Sequence, residues 1–158
     1  MSDIQNTEEK PEKTSREIIT KNMIESTAKW TATVKVLTEK IKGADVRYVV
    51  DIQAEAISQR QSVIEEIKTY SVKIYKLVQK MKVLEKLKFE YYTTKYSVKT
   101  NSSEKTRLIN ADLSEHQVFI NELDEHVNFL RETAKHLDSI NYSAKNKIEL
   151  SNILEGYK

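Results

Sequence analysis

The stretch LSEHQVFINELDEHVNFLRETAKHL, from Leu113 to Leu137, decides the fold. Leu113, Ile120, Val127 and Ala134 fall on one heptad position, and His116, Leu123, Leu130 and Leu137 fall on the other. Alternating steps of three and four residues place all of these on one side of an α-helix, and a seam of that kind seeks a partner helix. Ala144 and Ile148 continue the repeat, and Asn141 interrupts it. Phe119, Phe129 and Ile140 lie beside the seam and widen it, which suits a multi-helix bundle or ring better than a two-stranded zipper. Residues 104–155 therefore read as a C-terminal coiled-coil assembly helix. Leu113, Ile120, Leu123, Val127, Leu130 and Leu137 are its expected contacts between copies. Asn141 either fixes register from a buried position or simply sits near a helix end.

Working upstream, Asn101-Ser102-Ser103 breaks the pattern, and a second long helix is predicted within residues 44–100. Val63, Ile67, Tyr70, Ile74, Leu77, Met81, Leu84 and Tyr91 step by fours and threes, with a gap only at Lys88. About forty residues at 1.5 Å each would run for roughly 60 Å. The run Tyr48-Val49-Val50-Asp51-Ile52 is open to strand or helix and is read as helix. Before it, Thr14-Ser15-Arg16-Glu17 has the form of a capping box, and Ile19, Met23, Trp30, Val34, Leu37 and Ile41 share one side of a helix over 14–43 that stops at Gly43. Residues 1–13 are polar, contain the only proline, Pro11, and read as a disordered tail.

Composition agrees with this reading. Two Gly and one Pro leave too few turn formers for a many-stranded sheet, while 32% charged and 39% apolar residues suit long helices. The expected fold is all-α: long helices that form a helical hairpin or coiled coil and assemble into a ring-like homo-oligomer. The chain has no cysteine, so disulfides and thiolate metal sites are excluded. No export signal opens it, and no apolar run approaches the roughly 20 residues of a membrane span. A soluble cytoplasmic protein without membrane partners is expected.

The net charge of +2 conceals a local excess. Between residues 67 and 100, Lys68, Lys73, Lys76, Lys80, Lys82, Lys86, Lys88, Lys95 and Lys99 face only Glu85 and Glu90, a net of +7. The flanks are slightly acidic, −2 over residues 1–66 and −3 over 101–158. A local positive field attracts polyanions. Lysines at spacings of three and four also repel one another along a helix face, and an anionic partner would relieve that repulsion. Their bland alternative is a solvated coiled-coil flank. Lys88 occupies a seam position, where an unpaired buried ammonium is costly, so the seam is expected to open there toward a ligand or to fray. Tyr91 should continue the stripe. Tyr92, with Phe89 nearby, should face outward and stack on bases, and Lys95 and Tyr96 extend the surface. On charge and stacking grounds, Lys82, Tyr92 and Lys95 are candidate DNA-binding residues.

His116, His126 and His136 recur every ten residues and lack the spacing that brings two imidazoles to one metal. No phosphate loop, activated nucleophile or paired catalytic carboxylates stand out, so no catalytic residue, cofactor or metal is expected.

The segment Lys86-Leu87-Lys88-Phe89-Glu90-Tyr91-Tyr92 resembles the basic segment of the UvsY-type family of phage recombination mediators. Asn110-Ala111-Asp112, the heptad helix, and Asn141 followed by Ala144-Lys145-Asn146-Lys147-Ile148-Glu149-Leu150 are similar to that family's C-terminal half. The likeness covers about residues 50–158. It departs at Thr93-Thr94, where the family has Ser-Gly, and at Tyr142-Ser143, where the family has an Arg-Gly-Phe turn; the helix at 14–42 has no counterpart. The resemblance implies a non-enzymatic protein of the phage-infected host cell that forms a hexameric or heptameric ring. It also implies binding to single-stranded DNA and loading of a RecA-like recombinase onto strands covered by single-strand binding protein. Lys86 and Lys88 match the family's basic DNA-contacting positions. The alternative is a structural coiled-coil scaffold that does not bind nucleic acid.

Overall fold

The computed structural model describes the backbone of residues 9–156 and the side chains of residues 15–156. Three helices, α1 (Glu9–Gly43), α2 (Val46–Thr94) and α3 (Ser102–Gly156), account for almost all of it, and the described residues contain no strand. The fold is all-α. Tyr48–Ile52 belongs to α2. The tail expected over 1–13 lies outside the described residues up to residue 8, and residues 9–13 are helical, so α1 starts five residues before Thr14. The Thr14–Glu17 pattern is therefore inside a helix and does not begin one.

The true helix starts are capped elsewhere. Asp45 precedes α2 and accepts a hydrogen bond from the Arg47 amide at 3.1 Å through Oδ1, while its backbone oxygen accepts from the Tyr48 amide at 2.9 Å. An Asp before the first helical residue satisfies amides that the helix cannot. Asn101 and Glu104 make a reciprocal box at α3. The Glu104 amide donates to Asn101 Oδ1 and the Asn101 amide donates to Glu104 Oε2, both at 2.9 Å. What reads as a breaker at 101–103 is a helix start.

The chain forms two compact units. The first combines residues up to Gln61 with those from Glu132 onward. Its core is drawn from all three helices: Met23, Trp30, Leu37 and Ile41 of α1, Val49, Ile52 and Ala56 of α2, and Leu137, Ile140 and Ala144 of α3. Full burial of a side chain such as Leu37 contributes about 1.5–3 kcal/mol relative to exposure. Each helix pair also has a polar tie. Lys40 and Glu55 form an ion pair at 2.9 Å, Gln53 Nε2 donates to Asn141 Oδ1 at 2.9 Å, and Lys147 Nζ donates to the Ile41 and Lys42 carbonyl oxygens at 2.6 and 3.2 Å. Lys147 thereby covers the carbonyl-rich end of α1, where a cation is favoured. Asn141 is half-buried and bonded across helices, the arrangement in which a seam Asn fixes register.

The second unit, Ser62–Arg131, is an antiparallel hairpin of the later part of α2 and the earlier part of α3. Val63, Tyr70, Ile109, Leu113, Phe119, Ile120, Leu123, Val127 and Leu130 are buried. Past Tyr70 no α2 residue is buried, and Ile74, Leu77, Met81 and Leu84 are half-buried, because a single facing helix covers only one side of such a stripe.

The seam residues carry a correction. Leu113, Ile120, Leu123, Val127, Leu130 and Leu137 are each 8% exposed or less within a single chain. Their apolar surface is already taken up by the chain's own packing, so these six side chains are not open to a second copy. The heptad pattern describes an internal seam.

Candidate nucleic-acid interface

The five candidate residues all lie in the second unit, on α2 or just past its end, and they separate into two groups. Lys82, Lys86 and Lys95 are exposed, and none pairs with a carboxylate among the described residues. Lys88 and Tyr92 are half-buried and occupied: Lys88 Nζ lies 2.9 Å from Asp112 Oδ2, and Tyr92 Oη donates to the same oxygen at 2.9 Å. Burial alone would raise the Asp112 carboxyl. The hydrogen bonds from Lys88 and Tyr92 outweigh it and hold Asp112 below its usual value. The same bond pushes the Tyr92 phenol upward. The seam therefore neither frays at Lys88 nor opens there to a ligand, because α3 supplies a carboxylate to the ammonium.

The tyrosine pair is also arranged differently from expectation. Tyr91 is 44% exposed, and Tyr92 is the more covered ring. Tyr91, Tyr92 and Tyr96 form a cluster at the end of α2, with centroid separations of 5.0 to 6.2 Å and edge-on or tilted geometry. The rings pack edge to face on one another. The Lys95 and Tyr96 amides both donate to the Tyr91 carbonyl oxygen, at 2.9 and 3.1 Å, which folds the chain end back onto the last turn of α2.

A different set faces solvent. Lys82 and Lys86 lie four residues apart on the side of α2 away from its buried stripe, with Tyr75 seven residues before Lys82 and Phe89 three after Lys86. Steps of seven, four and three keep these four on one helix face. Tyr75 is 65% exposed and Phe89 54%, and neither ring contacts another aromatic ring. Glu85, three residues after Lys82 and four before Phe89, and Glu90, four after Lys86, are the acids nearest this face on the same helix. Sequence reading missed Tyr75 because it followed the apolar stripe and the tyrosine pair; the spacing from Tyr75 to Phe89 was the available signal. On the flank of the helix, Lys73 Nζ sits 4.7 Å above the Tyr70 ring, a cation–π contact that leaves one side of the ammonium to solvent.

The histidines stay apart. His126 is buried, edge-on to Tyr70 at 4.6 Å, stacked on Phe129 at 6.0 Å, and 3.9 Å from Glu66. Burial lowers its basicity, and Glu66 offsets part of that effect. His136 is exposed and His116 half-buried. Among the described residues, no group of three or more His, Asp or Glu side chains is placed to hold a metal ion. No helix among the described residues is long and apolar enough to cross a membrane.

Compared with known protein families, curated proteins and solved structures, the chain matches none.

Proposed function

We propose that this chain binds single-stranded DNA through the outer face of α2, with Lys82 and Lys86 as its principal phosphate contacts and Lys95 as a peripheral one. The observation that carries the reading is the pairing state of the lysines. Within a segment of net +7, Lys82 and Lys86 lie on one exposed face without carboxylate partners among the described residues, whereas Lys88 is held by Asp112. Two like charges so placed repel, and phosphates remove that repulsion while releasing counterions.

In the role that the resemblance implies, the protein is a non-enzymatic recombination mediator that loads a RecA-like recombinase onto strands covered by single-strand binding protein. A ring of copies would present the modest patch several times to one flexible strand, and linked weak sites gain apparent affinity without new contacts. The rival reading is a helical scaffold whose lysines are only solvated.

Fluorescence anisotropy with a labelled oligothymidylate across a salt series tests the reading. Removing one ammonium that neutralises a phosphate should reduce the salt slope by about 0.7 for single strands, so the Lys82→Ala/Lys86→Ala variant should show a slope smaller by about 1.4. Lys88→Ala, which removes an ammonium already bound to Asp112, should leave the slope unchanged. Absence of salt-sensitive binding by the parent protein at low ionic strength would favour the scaffold.

A further inference from the structure

Tyr75 and Phe89 stand at the two ends of the Lys82–Lys86 patch, separated by fourteen residues of continuous helix, or about 21 Å along its axis. Both rings are more than half exposed. They differ from the other aromatic groups of this unit. Tyr91, Tyr92 and Tyr96 pack on one another, and Tyr70 lies against His126, while Tyr75 and Phe89 present open faces to solvent beside unpaired lysines. A stripe that reads ring, ammonium, ammonium, ring offers two kinds of contact to one ligand. The ammonium groups take phosphates, and the rings take flat apolar surfaces between them.

We propose that Tyr75 and Phe89 are base-stacking platforms that bracket Lys82 and Lys86, so that this face of α2 takes unpaired nucleotides in preference to duplex. The inference rests on the nucleic-acid reading above and adds the groups that determine strand state. Lysines alone discriminate weakly, since a duplex carries phosphates at higher density than a single strand. Base faces discriminate well, because in a duplex they are already stacked on their neighbours, and in a single strand every base has a free π-face. The rings sit on one rigid helix, so their spacing is fixed before binding. The hydrogen-bonding groups of these four residues are the Tyr75 hydroxyl and two ammonium groups that phosphates engage without regard to base. Binding is therefore tolerant of sequence.

The test uses the full chain and three fluorescein-labelled probes: an oligothymidylate, an abasic strand of the same length and phosphate count, and a hairpin duplex. Tyr75→Ala and Phe89→Ala should each weaken oligothymidylate binding by about tenfold, equivalent to ~1.4 kcal/mol, with the salt slope unchanged. The same substitutions should leave binding to the abasic strand unaltered and narrow the preference over duplex. Leu in place of either ring should weaken binding as much as Ala, and Tyr75→Phe should retain it. Circular dichroism should show the variants still helical, as expected for exposed positions.

Equal weakening on the abasic strand, or full retention by the Leu variants, would overturn the stacking role. Unchanged strand binding together with an altered mass in light scattering would assign the rings to a protein contact and would also overturn it. Failure of the parent protein to bind any strand is a separate result, which removes the underlying reading and is seen before any ring is changed.

Discussion

At the scale of single residues, Lys88 and His126 show how position on a helix differs from environment. Lys88 falls where the α2 stripe needs an apolar side chain, and its heptad position was legible in the sequence. Its partner was not, because Asp112 lies on another helix and comes within 2.9 Å only through the hairpin. A lysine on a seam is equally compatible with a ligand, a frayed end or a carboxylate. His126 was legible only as one of three evenly spaced histidines, yet the packing buries it between Tyr70 and Phe129. Burial lowers its pKa, with Glu66 opposing. The folded state therefore takes up a proton less readily than the unfolded chain, whose histidine titrates near 6.5. The resulting contribution to stability is present above that value and is lost as pH falls below it toward the folded pKa. Urea midpoints at about pH 7.5 and about pH 5.5 should show a lower midpoint at the acidic value, and His126→Phe should flatten the difference. An unchanged pH dependence in that variant would show that other groups carry it.

At the scale of elements, the three helices were legible because a period of 3.6 residues repeats many times in each and errors average out. Their ends were less so. A cap is a single local pattern, and Thr14-Ser15-Arg16-Glu17 matches the pattern of a helix start while α1 begins at Glu9. Any Ser or Thr followed three residues later by Glu fits equally well inside a helix if the preceding turn also forms. The box that does begin a helix, Asn101 with Glu104, stood at a point read only as an interruption. Its contribution can be measured. Asn101→Ala removes the side-chain acceptor for the Glu104 amide and should cost about 1 kcal/mol, within the usual range for cap removal. Because the cap acts on the first turn of α3, hydrogen exchange at residues 102–105 should accelerate with little change near Leu123. Uniform acceleration along α3 would mean that the box supports the whole hairpin. The proposed binding face of α2 was half legible in the same sense. The lysine excess could be counted, but which ammonium groups are paired inside the protein depends on α3.

At the scale of the whole molecule, the heptad seam raised a question that periodicity cannot answer. A stripe at three- and four-residue steps fits any facing helix, whether it belongs to a second copy or to the same chain, since the packing geometry is the same. Here the chain supplies its own partners, and Leu123 and Leu130 are completely covered within one copy. This reverses the outcome expected of a disruptive variant. If these leucines joined copies, Leu123→Glu with Leu130→Glu would release a folded protomer, so scattering mass would fall while helicity persisted. With the leucines inside the hairpin, the same change places two carboxylates in an apolar interior. Loss of each leucine side chain costs about 2–5 kcal/mol before the burial of charge is considered. A domain of this kind has roughly 5–15 kcal/mol in total. The double variant should therefore lose most of its helical signal and its cooperative thermal transition, with the second unit affected first. Leu123→Ala alone should remain folded but melt several degrees lower, which links the effect to packing and not to charge alone. A helical, cooperatively melting double variant of reduced mass would instead place the seam between copies. With the six covered inside one copy, any ring assembly by this chain uses other side chains, and light scattering on the folded Leu123→Ala variant should report the same mass as the parent protein.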